Sequence, residues 1–397
     1  MKSKSNKSDI LLIMLMLNAI EIFAMQLLVP SMPDLKNYFT TSDYNVQLTL
    51  TVFMFGFAVS QILYGPLSDK YGRKPLILLS IFIFIIGSIL GFFSQSIETL
   101  IISRLIQSIG AAGGMVLPPA VIRDVYGESG STRAIGWLSI VAGIAALLAP
   151  YIGGLLNDTY GWRSGMLVLV IIGIIIFIVS LIFYPESLKS KEKNNFSLLA
   201  IFLDYYELFS LRVFCIFFII LSSINGVFYA FFAGGVYVVV ENLGLQSTDF
   251  GLIMVPLVVS FVISAYISVR VNKFFNPLII IFLGSLFSFF SAIMIYILFI
   301  TGNLTFFTLT FFGLFLGWGN GQVIPLSTSL AINLFPSKAG TVSAAIGTGS
   351  MLAGAIISLL YGLIYSGSPN SMSILMISTS LLAVVFCSLI LFKKERL

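Results

Sequence analysis

Histidine is absent from this chain of 397 residues, and cysteine occurs only twice. Without histidine, proton chemistry inside an apolar environment would have to use a carboxyl group. Cys215 and Cys387 lie far apart in separate apolar runs, which indicates two small buried side chains. The sequence therefore predicts neither a disulfide framework nor a cysteine-based metal site. No catalytic triad or metal cluster is visible either, so we expect no enzyme.

Charged residues are also scarce, at 9% of the chain against 58% hydrophobic residues. A soluble domain carries about 25% charged residues, so this chain is too apolar to be soluble as a compact globule. Apolar runs of roughly 20 residues recur along it, whereas the weak alternation of a β-barrel does not. The sequence predicts an all-α membrane protein. The first apolar run is long and contains Glu21, so we expect a retained span rather than a signal peptide.

Twelve transmembrane helices are predicted. They cover residues 10–32, 45–67, 75–93, 97–122, 133–156, 164–184, 211–239, 247–269, 277–300, 304–332, 338–364 and 371–392. The longest polar break gives two predicted domains of six spans, 1–184 and 211–397, joined by a cytoplasmic linker at 185–210. A basic turn followed by proline occurs after span 2 and again after span 8. This faint repeat is typical of transporters built from two pseudo-symmetric six-helix bundles.

Lysine and arginine are distributed unevenly between the two sides of the predicted membrane. With the N-terminus inside, all but three of the 21 lysines and arginines fall on the inside. The exceptions are Lys36 and Arg163 in outside loops and Arg104 within a span. This distribution follows the positive-inside rule and predicts that both termini are cytoplasmic. The formal charge of +5 is therefore a topology signal, and we expect the lipid bilayer as a partner and no nucleic acid.

The segment "GPLSDKYGRKP" (65–75) is the strongest local motif. Gly65 and Gly72 permit a tight or left-handed turn between spans 2 and 3. Pro75 suits the first turn of span 3. Asp69 is the one acid among several cations, so we expect it to pair with a cation or with a helix N-terminus.

This motif resembles the cytoplasmic signature of the major facilitator superfamily. Four further segments resemble parts of the same family, namely "RLIQSIGAAGG" (104–114), "IRDVYGE" (122–128), "LAPYIGGLL" (148–156) and "PLSTSLAINLFPSKAGTVSAAIG" (325–347). The most similar branch is the Bcr/CflA (bicyclomycin/chloramphenicol resistance) type of drug/proton antiporter. The resemblance covers nearly the whole chain. It implies the major facilitator fold, a central cavity, and proton-driven export by alternating access in the bacterial inner membrane.

The resemblance also implies roles for two motifs. The gating motif consists of Gly65, Asp69, Gly72 and Arg73. The interface motif, in span 5 between the two halves, consists of Ala149, Pro150, Gly153 and Gly154. Small residues let helices approach closely, so generic helix packing is the alternative interpretation of span 5. The expected protein is a monomer that exchanges a small-molecule substrate for protons and needs no cofactor beyond the proton gradient.

Two charged residues, Glu21 and Arg104, lie well inside predicted spans. An ionised group at the bilayer centre costs at least about 2.5–3.5 kcal/mol on insertion scales, which favours a function for both. At about 1.5 Å per residue, Arg104 sits several ångströms outward of Glu21. We therefore expect Arg104 to contact Gln26 or Gln107 rather than Glu21. Without a constant cationic partner, Glu21 is the predicted proton-coupling residue.

Bcr/CflA-type members commonly carry an acid at the position of Gln26. Here the acid, Glu21, stands five residues earlier, or roughly 140° around the helix, so the two side chains cannot both face a cavity squarely. Either Glu21 takes over the coupling role or the coupling is altered.

The predicted substrate cavity draws on both halves. Its candidate residues are Glu21, Gln26, Arg104, Gln107, Asn225, Tyr229, Asn320 and Gln322. One acid among amide and aromatic groups suits small lipophilic, neutral or monocationic compounds such as antibiotics. Two alternatives stay open. One is an exporter of a dedicated natural substrate such as a siderophore, sugar or metabolite, and the other is an uncoupled scramblase or receptor, which would not need both motifs.

Overall fold

The computed structural model describes residues 6–188, 198–335 and 338–392. Throughout these residues the chain is all-α, with no β-strand. The helices are α1 (Lys7–Gln26), α2 (Met32–Phe39), α3 (Asp43–Tyr71), α4 (Arg73–Phe92), α5 (Ile97–Tyr160), α6 (Arg163–Phe183), α7 (Leu198–Phe209), α8 (Arg212–Tyr237), α9 (Ser247–Val271), α10 (Pro277–Ile300), α11 (Phe306–Asn333), α12 (Ala339–Ile364) and α13 (Asn370–Phe392). A 3₁₀ turn, Val29–Ser31, links α1 to α2, and a π-helix, Val238–Asn242, extends α8.

Each of the twelve predicted spans lies mainly within one of these helices. α5 contains two spans, Ile97–Gly127 and Gly130–Tyr160, because the backbone of Gly127 (φ 70°, ψ −179°) breaks the helix between them. Eleven segments of the described chain are long and apolar enough to cross a membrane. α11 is not among them, since Asn320, Gln322 and several glycines lower its hydropathy. Its 28 residues still exceed the length that a span requires.

The chain divides into two compact units, Met1–Phe196 and Ser197–Leu397. In the first unit, α5 packs against α1, α3 and α4, and α6 packs against α1 and α4. In the second unit, α11 packs against α9 and α10, and α13 packs against α8 and α10. The same order of helix neighbours thus occurs twice, which confirms the prediction of two pseudo-symmetric six-helix bundles. α7, which lies in the segment predicted as a linker, belongs to the second unit and packs against α8 and α12.

A row of serines joins α9 to α11 inside the second unit. Ser260 and Ser264 each donate a 2.6 Å hydrogen bond, to the backbone oxygens of Leu314 and Trp318 respectively. At Gly317 a Cβ atom would lie only 2.1 Å from a backbone oxygen of α9, so the two helices touch along their backbones there. Lipid tails are as apolar as leucine, so close packing of this kind, with interhelical hydrogen bonds of about 0.6 kcal/mol each, holds such helices together.

Candidate functional site

Glu21 lies on the face of α1 that packs against α5. Its side chain is only 7% exposed. A Cβ atom added to Gly114 of α5 would lie 3.2 Å from the Cβ of Glu21 and 2.4 Å from the backbone oxygen of Leu17. The missing side chain at Gly114 therefore lets α1 and α5 touch beside Glu21. No residue in the described part of the chain forms an ion pair or hydrogen bond with the Glu21 carboxyl group, as predicted.

Arg104 of α5 makes its hydrogen bonds with groups other than Glu21. Its Nη1 donates to the backbone oxygen of Ala24 at 2.8 Å and to Oε1 of Gln107. Its guanidinium carbon lies 4.2 Å from the centre of the Phe53 ring. The side chain is 1% exposed, so it does not reach towards the membrane surface. The predicted contact with Gln107 is confirmed, whereas no hydrogen bond between Arg104 and Gln26 is found.

Gln107 extends this network to α4. Its Nε2 donates to Oγ of Ser88 at 2.8 Å, and Ser88 in turn donates to the backbone oxygen of Phe84 at 2.8 Å. Ala24 lies in the last turn of α1, where backbone oxygens lose their helical N–H partners. Arg104 and Gln107 therefore tie the end of α1, the first turns of α5 and α4 together, and both side chains are fully buried.

A cluster of charges surrounds Arg73 at the start of α4. The Arg73 guanidinium pairs with Asp69 (Nη1 to Oδ1, 2.7 Å) and with Asp124 of α5 (Nε to Oδ2, 2.9 Å), and it also donates to Oγ of Ser68. The predicted pairing of Asp69 with a cation is confirmed. The predicted turn at Gly65 is wrong, because α3 continues through Gly65 to Tyr71 and only one residue, Gly72, separates it from α4.

Glu186, just after α6, caps the N-terminus of α4. Its carboxylate accepts hydrogen bonds from the backbone N–H of Arg73 at 3.0 Å and of Lys74 at 3.2 Å. A carboxylate is favoured at this position by the helix dipole and by the unpaired N–H groups of the first turn. Gly72 makes the approach possible, since it has φ 109° and a Cβ atom there would lie 2.5 Å from Oε2 of Glu186.

Sequence reasoning did not identify Asp124 or Glu186 as members of this Arg73 cluster. Asp124 lies 51 residues and Glu186 113 residues from Arg73 in the chain. Residues so far apart leave no pattern in the local sequence that would predict their contact. The one available hint is that each acid stands at the same predicted membrane side as the motif at 65–75.

In the second unit, Asn225 and Tyr229 of α8 both face α12. Nδ2 of Asn225 donates to Oγ of Ser350 at 3.2 Å and to the backbone oxygen of Leu221 at 2.8 Å. The Tyr229 hydroxyl lies 3.6 Å from the sulfur of Met351. These predicted cavity residues therefore share one face of α8, as their spacing of four residues requires.

Asn320 and Gln322 occupy different environments on α11. Asn320 is buried, accepts a 3.1 Å hydrogen bond from Ser288 of α10 and donates a 3.4 Å bond to the backbone oxygen of Ile224 of α8. It therefore joins three helices next to Asn225. Oε1 of Gln322 is buried and has no hydrogen-bond partner in the described part of the chain.

The span 5 motif packs on α1. A Cβ atom at Gly153 would lie 2.2 Å from the backbone oxygen of Leu27, and Ala149, Pro150 and Gly154 are buried. A Cβ atom at Gly143, one to two turns before the motif, would meet nothing within 4 Å. The close approach therefore concerns the C-terminal part of this helix and takes place within the first unit.

A small apolar cleft lies beside Glu21, between α1, α4 and α5. It is lined by Leu17, Ile20, Ser80, Ile81, Phe84, Gly110, Ala111 and Gly114. It has room for about one water molecule, so it is not itself a substrate site. Among the described residues no three His, Cys, Asp or Glu side chains come together to hold a metal ion.

Comparison with known proteins places this geometry in a family. The sequence model of the Major Facilitator Superfamily matches residues 14–358. The chain is 26% identical over 378 residues to "Multidrug resistance protein D" of Escherichia coli (strain K12), covering 95% of this chain and 94% of that one. It is 24% identical over 248 residues to the "Bicyclomycin resistance protein homolog" of Haemophilus influenzae, covering 62% of each chain.

A solved structure shows the same fold. A bacterial homolog to the human lysosomal transporter Spinster, in its inward-facing and occupied conformation, superposes with a TM-score of 0.77 at 16% identity. The superposition covers 98% of this chain and 97% of that one. Since the family match runs from α1 to α12 through both units, the chain belongs to the major facilitator superfamily and is a multi-pass membrane transporter.

Proposed function

We propose that the protein exports small lipophilic, neutral or monocationic compounds such as antibiotics in exchange for protons, by alternating access. In this proposal it acts as a monomer in the bacterial inner membrane, with both termini in the cytoplasm and the proton gradient as the only driving force. The observation that carries the proposal is the buried, unpaired carboxyl group of Glu21.

Burial disfavours the charged form of a carboxyl group, and a neighbouring cation would favour it. Glu21 is buried and lacks such a cation in the described part of the chain. The nearby Arg104 is engaged by Phe53, Ala24 and Gln107 instead, so it does not hold Glu21 ionised. Glu21 can therefore take up a proton when enclosed and release it when water or a cationic substrate reaches it.

The relatives support the substrate class. One is named for multidrug resistance and the other for bicyclomycin resistance. Among the described residues Glu21 is the one buried acid, and the chain also carries buried amide groups and 37 phenylalanines. Such surroundings favour ligands bound mainly by apolar and aromatic contact with few hydrogen bonds.

The test is to replace Glu21 with Gln and to measure drug transport in proteoliposomes under an imposed pH gradient. We expect transport driven by the gradient to be lost, while binding of a neutral substrate persists. The matched control is Glu98→Gln, which makes the same change at an exposed position of α5 and should transport normally. Undiminished proton-driven transport by Glu21→Gln would rule out Glu21 as the coupling residue.

Two further measurements complete the test. The double variant Glu21→Gln, Gln26→Glu moves the acid by five residues and shows whether coupling depends on the position of the acid. A transport screen over antibiotics, dyes, siderophores and sugars tests the substrate class. Activity confined to one siderophore or sugar would contradict export of diverse lipophilic compounds.

A further inference from the structure

Asn18 lies one helical turn before Glu21 on α1, and it is a second buried polar side chain with an unbonded oxygen. Asn18 is 9% exposed and Glu21 is 7% exposed. Oδ1 of Asn18 is buried and accepts no hydrogen bond in the described part of the chain. Residues three apart are neighbours on a helix surface, with Cβ atoms about 5–6 Å apart. An amide oxygen and a carboxyl group, both without a partner, therefore lie side by side within the span Lys7–Phe39.

Helix packing does not account for an asparagine at position 18. A buried carbonyl oxygen without a hydrogen bond is unfavourable, and lipid tails offer it no donor. A leucine of similar volume would avoid this cost, because replacing a polar group by an apolar one of the same shape is nearly neutral or stabilising. Such a group is explained by a hydrogen-bond donor that joins it during the transport cycle.

The cation closest along α1, Arg104, does not supply that donor. Its Nη1 is bound by the backbone oxygen of Ala24 and by Gln107. Its guanidinium also covers the ring of Phe53, at 4.2 Å from the ring centre. This aromatic face is therefore closed to a second cation. The donor expected at Asn18 and Glu21 belongs to a bound molecule.

Two acceptors one helical turn apart match a cation that carries at least two N–H groups. One N–H donates to the carboxylate and the other to the amide oxygen, and bonds of this charge-assisted kind are the strong ones. A protonated primary or secondary amine has two or more N–H groups, whereas a protonated tertiary amine has one. A quaternary ammonium has none and is recognised mainly by aromatic faces. The acceptor pair therefore distinguishes cations of equal charge by their number of N–H groups.

We infer that Asn18 determines specificity for protonated primary and secondary amines. Its Oδ1 accepts one N–H of the amine, while the carboxylate of Glu21 accepts another and balances the charge. The inference rests on the proposed function, because it needs a cationic substrate at Glu21. It narrows the cationic substrates to lipophilic amines with two or more N–H groups.

The experiment measures equilibrium binding to the full chain in nanodiscs, at one pH near neutral and without a pH gradient. The probes are 1-naphthylmethylamine and its N,N-dimethyl and N,N,N-trimethyl derivatives, which are monocations with three, one and no N–H groups. Asn18→Leu removes the acceptor at similar volume, and Asn18→Asp keeps an acceptor oxygen. The matched control is Asn37→Leu, the same change at an exposed position of α2.

We expect Asn18→Leu to weaken binding of the primary amine about tenfold or more, the usual effect of losing a hydrogen bond to a charged group. Binding of the dimethyl and trimethyl derivatives should stay nearly unchanged, and Asn18→Asp and Asn37→Leu should keep the affinity for the primary amine. Equal weakening of all three cations would indicate a packing role for Asn18. Unchanged binding of the primary amine would mean that Asn18 bonds only to water. Either result overturns the inference, as would a wild-type protein that binds none of the three.

The variant Glu21→Gln separates this inference from the proposed coupling role. If Glu21→Gln weakens binding of all three cations while Asn18→Leu changes none, the role of Asn18 alone is overturned. If Asn18→Leu weakens binding of the primary amine as expected while Glu21→Gln retains full proton-driven transport, the coupling role is contradicted and the amine specificity of Asn18 stands. Unfolding of Asn18→Leu should need at least as much denaturant as the wild type, because the change removes an unbonded amide.

Discussion

Gly72 and Gly65 belong to the same motif, yet alanine should have opposite effects at the two positions. Gly72 has φ 109° and ψ 154°, a region of backbone conformation that is essentially restricted to glycine. A Cβ atom there would also lie 2.5 Å from Oε2 of Glu186. Gly65 lies within α3, and a Cβ atom there would meet nothing within 4 Å.

The magnitudes follow from these two environments. A side chain forced into the backbone conformation of Gly72 costs about 1–3 kcal/mol. Displacing the Glu186 carboxylate from the first turn of α4 adds about 0.5–2 kcal/mol, the usual range for a lost N-terminal cap. We therefore expect Gly72→Ala to lower the free energy of unfolding by about 1.5–5 kcal/mol. Gly65→Ala should raise it by up to about 1 kcal/mol, because alanine favours a helix interior over glycine.

The assay is denaturant unfolding of both variants and of Glu186→Gln in the same detergent. Glu186→Gln alone should lose only the contribution of the cap. The double variant Gly72→Ala, Glu186→Gln should lose less than the sum of the single losses, because the added Cβ atom has already displaced the carboxylate. If Gly65→Ala destabilises the protein as much as Gly72→Ala, or if the double variant is additive, the reasoning about the cap is wrong.

Three further predictions concern other contacts. Asp124→Asn leaves Arg73 with one carboxylate partner in place of two, so we expect slower turnover at nearly unchanged substrate affinity in a kinetic transport assay. Gly114→Ala should cost about 1–3 kcal/mol in unfolding measurements through overpacking against the backbone of α1, whereas Gly143→Ala, with open space around it, should not destabilise the protein. The hydrogen bonds of Lys338 to Glu207 and Asp204 raise its pKa. Their contribution to stability is therefore complete below the ordinary lysine pKa of about 10.4 and is lost only as the pH rises through the raised pKa. The loss of stability caused by Lys338→Gln, measured by denaturant unfolding, should therefore be constant from neutral pH to about pH 10.

Residue patterns along the chain predicted the spans well, because each span must be apolar over its own length whatever surrounds it. The depth of Arg104 in its span likewise predicted its contact with Gln107 rather than Glu21. Contacts that join distant segments were not predictable in this way. Nothing local to Asp124 or Glu186 indicates Arg73, which lies 51 and 113 residues away.

The local sequence was also insufficient to predict where α3 ends and that α7 forms a helix of the second unit. Gly65 and Gly72 were both predicted to form a turn, but α3 continues through Gly65, and only Gly72 adopts the conformation that ends the helix. α7 has too few residues for a span and lies in a polar stretch, so sequence reasoning treated it as part of a linker. Its attachment to the second unit becomes apparent only when Lys338, from another part of the chain, is seen to bind Asp204 and Glu207.

The sequence by itself determined that this protein is a helical membrane protein with twelve spans, and it identified Glu21 as the acid buried within them. Those properties depend on the cost of placing polar and charged groups in hydrocarbon, and that cost is set residue by residue. The tertiary structure alone decided which groups meet. It left Glu21 without a described partner, placed Arg104 against the backbone oxygen of Ala24, and gave the start of α4 its carboxylate cap, because those contacts depend on how separate helices approach one another.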